Sequence, residues 1–600
     1  MIPIAEIPAR IAVLALVVLL AVTARPVIAA TPAPSLTTIA ERSGNTRTGR
    51  YDEVVRLCGA YARRWPKQVR CLQFGRTPEG RPMLALVASG DGTLDPASAK
   101  ARKRPVVLMQ GGIHAGEIDG KDAGFRFLRD ALTDKVSAGA LSRLTLVFVP
   151  VFNVDGHERF GRWNRPNQVG PEESGWRATG QNLNLNRDYT KADATEMQAM
   201  LRLLGTWDPV VYVDLHVTDG ADFEPDISIT MEPLLGGDTL LTAEGQRLQD
   251  HVIAQISKNG SLPLSFYPNF EVDDDPASGF AVSVSTPRYS TGYWALHNRF
   301  AILVETHSWK PYAKRERATY QAIAAIVDYA ARADAHWSEL TTAADARSAA
   351  LGGQIVPLSY ENTDHVTMLD FRGYAYTRDQ SLISGGIVTK YDSARPQIWR
   401  VPLKDQVRPA LAITAPRGGY IVPAAHAAWV RDKLALHGIV SRVISTASAS
   451  SPVEAFRATR TKWAERSFEG HVMLTVEGDW HGETRAIAAG SLFVPIAQAN
   501  ARLVMTLFEP KSPDSLASWG FFNSAFEQKE YMEAYVTERV AADMLQKDPA
   551  LRAEFEKQLN EDAAFKSSPA QRLEFFYRRH PAWDERYNLY PVLRVDKPPR

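Results

Sequence analysis

The stretch Pro105-Val-Val-Leu-Met-Gln-Gly-Gly-Ile-His-Ala-Gly-Glu-Ile-Asp119 joins an apolar run to a glycine-containing turn with two possible metal ligands. Residues 105–110 have the apolar character of a strand that is buried on both faces of a parallel sheet. His114 and Glu117 follow this run, three residues apart, on a turn that can bring both side chains to one point. The stretch therefore predicts a buried strand with a ligand pair at its C-terminal end.

Other apolar runs repeat this pattern along the chain. They span residues 144–151, 210–215 and 300–304, and helical spacing is found at 121–132, 194–204, 240–257 and 315–333. Strands that alternate with helices predict an α/β fold with a mixed, mostly parallel central sheet and helices on both faces. Binding sites in such sheets lie beyond the C-terminal ends of the strands.

Two of these runs end at residues that can take part in metal chemistry. His216 follows run 210–215, and Glu305 follows run 300–304. Two histidines and one carboxylate are the ligands of an open catalytic zinc site, which leaves a position for water. A further carboxylate beside that water can accept its proton. We therefore expect His114, Glu117 and His216 to bind zinc, with Glu305 as the general base.

Several short motifs occur in one order along residues 51–335: Gly75-Arg-Thr-Pro-Glu-Gly-Arg81, His114-x-x-Glu117, Asn153-Val-Asp-Gly156, Asn184-Leu-Asn-Arg187, Leu215-His216 and Leu303-Val-Glu305. Through these motifs the segment resembles the zinc carboxypeptidase family, whose best-known member is carboxypeptidase A. The resemblance implies one Zn²⁺ per chain. It also implies a zinc carboxypeptidase catalytic domain, which we place at residues 51–340.

The resemblance also implies roles for residues that bind the substrate. Asn186 and Arg187 would bind the free C-terminal carboxylate, a task that suits the planar fork of arginine. A second arginine in the family stabilises the oxyanion. Arg162, Arg165 and Arg177 all lie in the corresponding segment, and Arg165 is our choice.

A mobile tyrosine covers the substrate in this family, and Tyr289 and Tyr293 are the candidates for it. We favour Tyr289, because Gly292 could let the loop move. One departure from the digestive members is that Val217-Thr218 follows the last ligand in place of Ser-Tyr. Substrate specificity therefore does not carry over from them.

The function expected from this site is hydrolysis of the C-terminal peptide bond by a water that zinc and Glu305 activate. One alternative is a zinc amidase that acts on peptidoglycan stem peptides or N-acyl amino acids. Another is a peptide-binding protein without activity. Lys plus Arg number 69 against 68 Asp plus Glu. This balance gives no indication of nucleic acid or an anionic membrane as a partner.

The first 30 residues have the pattern of a signal peptide. Arg10 precedes an apolar run at 11–24, and small residues near Ala29 and Ala30 fit a cleavage site. The run is shorter than the roughly 20 residues of a spanning helix, although an uncleaved anchor is the rival interpretation. We expect an exported protein, periplasmic or extracellular, that is not on the membrane after cleavage.

Cys58 and Cys71 are the only two cysteines. In an oxidising compartment they could form a local disulfide. The alternative is a pair of unpaired core thiols.

The remainder of the chain divides into a linker at 31–50 and a C-terminal α+β region at 355–600. Gly352-Gly353 and the polar residues before them indicate the boundary. In the C-terminal region, we interpret two aromatic motifs as packing or lid residues: Asp479-Trp-His481 and Trp519-Gly-Phe-Phe-Asn523. A role of this region in substrate access is a hypothesis.

Overall fold

A computed structural model describes residues 35–599, and the predicted signal peptide lies outside them. Within this part of the chain, no helix has the length and apolar character needed to cross a membrane. The predicted linker, residues 31–50, lies partly outside the described residues, and its described part includes helix α1 (Ile39–Arg42). Thr48 in this segment is buried and donates a hydrogen bond to Asp122.

A mixed sheet forms the centre of the N-terminal half. Its strands are β1 (Val69–Arg76), β2 (Pro82–Ala88), β3 (Val106–Gly111), β4 (Thr145–Val149), β5 (Val211–Thr218), β6 (Ile227–Glu232), β7 (Pro263–Leu264) and β9 (Phe300–His307). Their order is β1-β2-β4-β3-β5-β9-β6-β7. The short strand β8 (Phe280–Ala281) belongs to a different sheet. Strands β4, β3, β5 and β9 are parallel neighbours, and β7 pairs parallel with β6. The pairs β1–β2, β2–β4 and β6–β9 are antiparallel. The predicted α/β fold with a mostly parallel sheet is confirmed.

Helices alternate with these strands. They are α2 (Tyr51–Arg64), α3 (Pro96–Ala101), α4 (Asp119–Leu132), α5 (Val154–Glu158), α6 (Thr195–Trp207), α7 (Thr239–Lys258), α8 (Ser290–Ala295) and α9 (Tyr312–Ala349). Helix α9 packs on both α4 and α7. It continues through residues 341–349, which belong to the polar segment predicted to mark the boundary before Gly352-Gly353, because this alanine-rich segment favours a helix.

Every residue of β3, β4 and β5 is buried, as the continuous apolar runs predicted. Cys58 on α2 and Cys71 on β1 form a disulfide with a Cα–Cα distance of 5.3 Å. The expected local disulfide is therefore present.

The C-terminal half is built mainly from antiparallel sheets. Its strands are β10 (Ile355–Asn362), β11 (Thr367–Gln380), β12 (Ile387–Lys404), β13 (Val407–Thr414), β14 (Gly419–Val422), β15 (Arg442–Val443), β16 (Ser448–Trp463), β17 (Leu474–Ile487), β18 (Leu492–Pro495) and β19 (Leu589–Val595). One sheet has the order β15-β18-β14-β19-β16-β17, and β8 of the first half adds to the β11–β12 hairpin.

Helices of this half precede the last strand or lie between strands. They are α10 (Ala424–Leu436), α11 (Ala501–Phe508), α12 (Ala534–Lys547), α13 (Pro549–Glu561), α14 (Ala563–Ser567) and α15 (Pro569–Tyr577). Helix α10 contacts α6 of the first half. The mixed α+β character predicted for the C-terminal region is confirmed.

Candidate active site

The turn after β3 places His114 and Glu117 together. The amide of Glu117 donates to the carbonyl of His114 over 2.9 Å, which closes the turn. Gly112 has a φ of 61°, and a Cβ on Gly116 would lie 2.6 Å from Cγ of Arg165. Glycine is therefore required where the turn reverses and where Arg165 packs against it.

The parallel strands β5 and β9 place His216 and Glu305 side by side. These two residues are direct partners in the register of the strand pair. Nδ1 of His216 lies 4.0 Å from Oε1 of Glu305. The sequence-based prediction that strands β3, β5 and β9 bring these groups to one edge of the sheet is confirmed.

Glu117 lies between the two imidazoles. Its Oε1 is 3.0 Å from Nδ1 of His114, and its Oε2 is 2.9 Å from Nδ1 of His216. The ligand atoms of the three residues all lie within 4.8 Å of one another, and all three side chains are buried. Two imidazole nitrogens and a carboxylate are the donor set of a catalytic zinc site. The residues present therefore fit zinc.

The second nitrogen of each imidazole lies close to a side-chain oxygen. Nε2 of His114 lies 3.1 Å from Oδ1 of Asn184 in a hydrogen bond. Nε2 of His216 lies 2.9 Å from Oδ2 of Asp214, at ion-pair distance but without the alignment of a hydrogen bond. Acceptors of this kind fix the ring orientation and tautomer of metal-binding histidines. In both residues Nδ1 is therefore the nitrogen left for the metal.

Glu305 is 7% exposed and has an unpaired oxygen. Its Oε2 makes no hydrogen bond to the described residues 35–599. Burial raises the pKa of Glu305 above its ordinary value, and the nearby Glu117 and Asp214 carboxylates add to this effect. A buried carboxyl with a free oxygen beside a metal site is suited to proton transfer.

The three arginines considered for the oxyanion lie in different surroundings. Arg165 contacts Glu117 over 3.1 Å, donates to the carbonyl of Val217 and leaves only 10% of its side chain exposed. Arg177 reaches the same Glu117 oxygen over 3.4 Å, with 41% of its side chain exposed. Arg162 instead stacks on the exposed ring of Trp163. The structure therefore brings Arg165 and Arg177 to the site.

Asn186 and Arg187 lie on the short helical turn Leu185–Arg187, whose N-cap is Asn184. Arg187 donates to the carbonyl of Asn186, and its guanidinium lies 4.5 Å above the ring of Tyr289. Tyr293, the rival of Tyr289, is buried and hydrogen bonds to Nδ1 of His437. Only Tyr289 of this pair lies next to Arg187.

Some residues at the site were not singled out from the sequence. Asp214 could have been found, since it precedes His216 by two residues and so lies on the same face of β5. Tyr267, whose hydroxyl lies 2.9 Å from that of Thr218, follows no recognisable pattern. Glu469 of the C-terminal region accepts a 2.8 Å hydrogen bond from the amide of Asn184. Nothing in the local sequence indicates that contact.

The fold and the site are those expected of a metallohydrolase, with a His-Glu-His triad that could hold zinc. Residues 54–222 match the family model of the zinc carboxypeptidases, and this range includes all three ligands. This segment is a zinc carboxypeptidase domain, and its presence supports a metallocarboxypeptidase enzyme. Glu305 lies beyond the matched range, on the strand that pairs with β5.

Solved structures of carboxypeptidases are similar to parts of the chain. The metallo-carboxypeptidase from Burkholderia cenocepacia is 15% identical, with a TM-score of 0.33 over 45% of this chain and 68% of its own. The carboxypeptidase A from Helicoverpa armigera is 15% identical, with a TM-score of 0.36 over 48% of this chain and 74% of its own. Bovine thrombin-activatable fibrinolysis inhibitor, solved in complex with tick carboxypeptidase inhibitor, is 14% identical, with a TM-score of 0.34 over 48% of this chain and 98% of its own. No curated protein sequence matches the chain.

Proposed function

We propose that the protein removes single residues from the C-terminus of peptides. The observation that supports this most directly is that Arg187 lacks an ion-pair partner. Its half-buried guanidinium has no carboxylate within ion-pairing distance among residues 35–599, yet it lies on the turn whose Asn184 contacts the zinc ligand His114. An arginine held in this way can bind a substrate carboxylate with two hydrogen bonds.

The chemistry would be shared between the metal and the residues around it. Zinc held by His114, Glu117 and His216 would polarise the scissile carbonyl and lower the pKa of water at the site. Glu305 accepts the proton of the attacking water and passes it to the leaving amine. Asn186 and Arg187 hold the terminal carboxylate, and Tyr289 packs against Arg187.

The two arginines at the site have separate tasks in this proposal. Arg165 was our choice for the oxyanion from the sequence, but it is nearly buried and contacts Glu117, Val217 and Gln168. Those contacts suit a residue that orients Glu117. The larger exposure of Arg177 supports it as the group that donates to the oxyanion.

We also propose that the protein is exported, to the periplasm or outside the cell. The Cys58–Cys71 disulfide supports this location, because disulfides persist mainly in oxidising compartments. A peptide with a free C-terminus is the partner that the proposed site would bind.

The function is tested by measuring metal content and amino-acid release on the same purified sample. About one zinc per chain and chelator-sensitive release of single C-terminal residues are expected, with no release from the same peptides carrying a C-terminal amide. Zinc without release from peptides, but with release from muropeptides or N-acyl amino acids, would establish the amidase alternative. Zinc without any release, but with peptide binding, would indicate a binding protein.

A further inference from the structure

The C-terminal region contacts the loop that bears the substrate-carboxylate residues. This loop, residues 184–193, begins with Asn184, Asn186 and Arg187 and ends just before helix α6. The turn 467–471 joins β16 to β17 and lies against it. We call these two segments the carboxylate loop and the extension turn.

The extension turn has a defined backbone shape with Glu469 at its tip. The amides and carbonyls of Phe468 and His471 bond to each other over 2.8 and 3.0 Å. Glu469 and Gly470 between them have φ values of 49° and 82°, the left-handed pair of a tight hairpin turn. This shape directs the Glu469 side chain at the carboxylate loop, where Oε2 accepts the amide of Asn184.

Further contacts hold the other end of the carboxylate loop. Nε2 of His471 lies 2.6 Å from Oδ2 of Asp193, and Nζ of Lys433 lies 3.2 Å from Oδ1 of the same residue. The indole of Trp519 donates to the hydroxyl of Thr190 and lies nearly parallel to the ring of Phe468. The C-terminal region therefore contacts the loop at its start, its middle and its end.

Asn184 connects Glu469 with the catalytic centre. Its side-chain Oδ1 accepts the amide of Asn186 over 3.0 Å and lies 3.1 Å from Nε2 of His114. Its backbone amide has Glu469 as its partner. The position of this single residue therefore affects both the metal ligand and the turn that presents Arg187.

Glu469 also influences Arg187 through its charge. Burial lowers the pKa of Arg187, and the Glu469 carboxylate opposes that effect. Glu469 nevertheless makes no ion pair with Arg187, whose guanidinium donates only to the carbonyl of Asn186 among the described residues. A nearby carboxylate that forms no ion pair favours the charged guanidinium and leaves it able to bind a ligand.

We propose that Glu469 is a positioning residue for the substrate-carboxylate subsite, so that the C-terminal region forms part of the substrate site. Glu469 fixes Asn184, and Asn184 in turn fixes the turn on which Asn186 and Arg187 lie. The proposal rests on the proposed carboxypeptidase function for its effect on substrate. The effect on the carboxylate loop itself does not depend on that function.

The test compares Glu469→Ala, Glu469→Gln and wild type in the full-length, zinc-loaded protein. Glutamine keeps an oxygen that can accept the Asn184 amide, whereas alanine removes it. A matched control is Glu465→Ala, an exposed glutamate four residues earlier in the same segment. The probes are two non-cleavable peptides in which a methylene-amine group replaces the last peptide bond. One has a free C-terminal carboxylate and the other a C-terminal amide.

Loss of a hydrogen bond to a charged group predicts that Glu469→Ala weakens binding of the free-carboxylate peptide about tenfold. For cleavable peptides KM should rise by a similar factor, while kcat changes less than about threefold. Binding of the amide peptide should stay unchanged, and Glu469→Gln should restore most of the affinity. Amide hydrogen exchange in residues 184–193 should become faster in Glu469→Ala but not in Glu465→Ala.

Three results would overturn the proposal. Equal weakening of both peptides would indicate general damage, and tighter binding in Glu469→Ala would mean that Glu469 competes with the substrate. Unchanged binding together with unchanged exchange would remove any positioning role. If wild type cleaves no peptide, the proposed function fails, but faster exchange in 184–193 would still support the positioning of the loop by Glu469.

Discussion

Nε2 of His216 lies 2.9 Å from Oδ2 of Asp214, two residues earlier on the same strand. This neighbour leaves Nδ1 of His216 facing Glu117. Asp214 is itself buried and accepts a hydrogen bond from the hydroxyl of Ser290. A carboxylate outside the triad of candidate ligands therefore lies against the ring of this proposed ligand.

Replacing Asp214 by alanine is expected to weaken zinc binding about 10–100-fold, the usual effect of losing such a partner of a metal-binding histidine. Competition with a chelating dye measures the affinity. Asp219→Ala is the control, because this exposed aspartate follows the end of β5. An Asp214→Ala protein that remains folded and binds zinc as wild type does would show that Asp214 has no such role.

Glu305→Gln should separate zinc binding from hydrolysis. Glutamine keeps the shape of the side chain but cannot accept the proton, so kcat/KM should fall at least about 100-fold while the zinc content stays that of wild type. Glu232→Gln is a matched control, since Glu232 is a buried glutamate on the neighbouring strand β6 whose pKa burial raises to about 7. Full peptidase activity in Glu305→Gln would exclude Glu305 as the base.

The sequence predicted the central sheet because its strands are buried on both faces and therefore read as continuous apolar runs. It predicted His114, Glu117, His216 and Glu305 because each lies within a few residues of a strand end. The local sequence pattern was enough to predict that these four residues meet, because parallel strands bring their C-terminal ends to one edge of the sheet.

The contact between Glu469 and Asn184 could not be predicted in this way. These residues are 285 positions apart, and Glu469 lies in a polar turn with no periodicity. The sequence also could not decide which of Arg162, Arg165 and Arg177 reaches the site, because all three belong to an irregular segment. Side-chain direction in such segments depends on tertiary contacts rather than on spacing.

Arg165 and Arg177 should respond differently to replacement by alanine. Arg177→Ala should keep its zinc and lose about 10²–10³ in kcat, the effect of removing one oxyanion donor. Arg165→Ala should bind zinc more weakly and unfold at a lower temperature, because Glu117 loses its buried partner. Zinc titration and steady-state kinetics on both variants decide the assignment. If Arg165→Ala keeps its zinc while kcat falls 10²-fold or more, the two roles are reversed.

Arg315 is expected to be a major contributor to stability, because it is fully buried among the elements behind the site. Its guanidinium contacts Asp119 over 3.0 Å and donates to the carbonyls of Val169, Gly170 and Lys310. Arg315→Leu would leave the buried charge of Asp119 uncompensated and would remove a donor from each of these carbonyls, so the free energy of unfolding should fall by about 3–5 kcal/mol.

Urea unfolding of the zinc-loaded protein measures the loss in Arg315→Leu, and the exposed Arg317→Leu serves as the control, with an expected change below about 0.5 kcal/mol. Adding Asp119→Asn to Arg315→Leu should recover part of the loss, because the uncompensated charge is then gone while Thr306 retains an oxygen to donate to. Equal stability of Arg315→Leu and wild type would show that water or side-chain rearrangement satisfies Asp119, and the buried pair would then have no net stabilising effect.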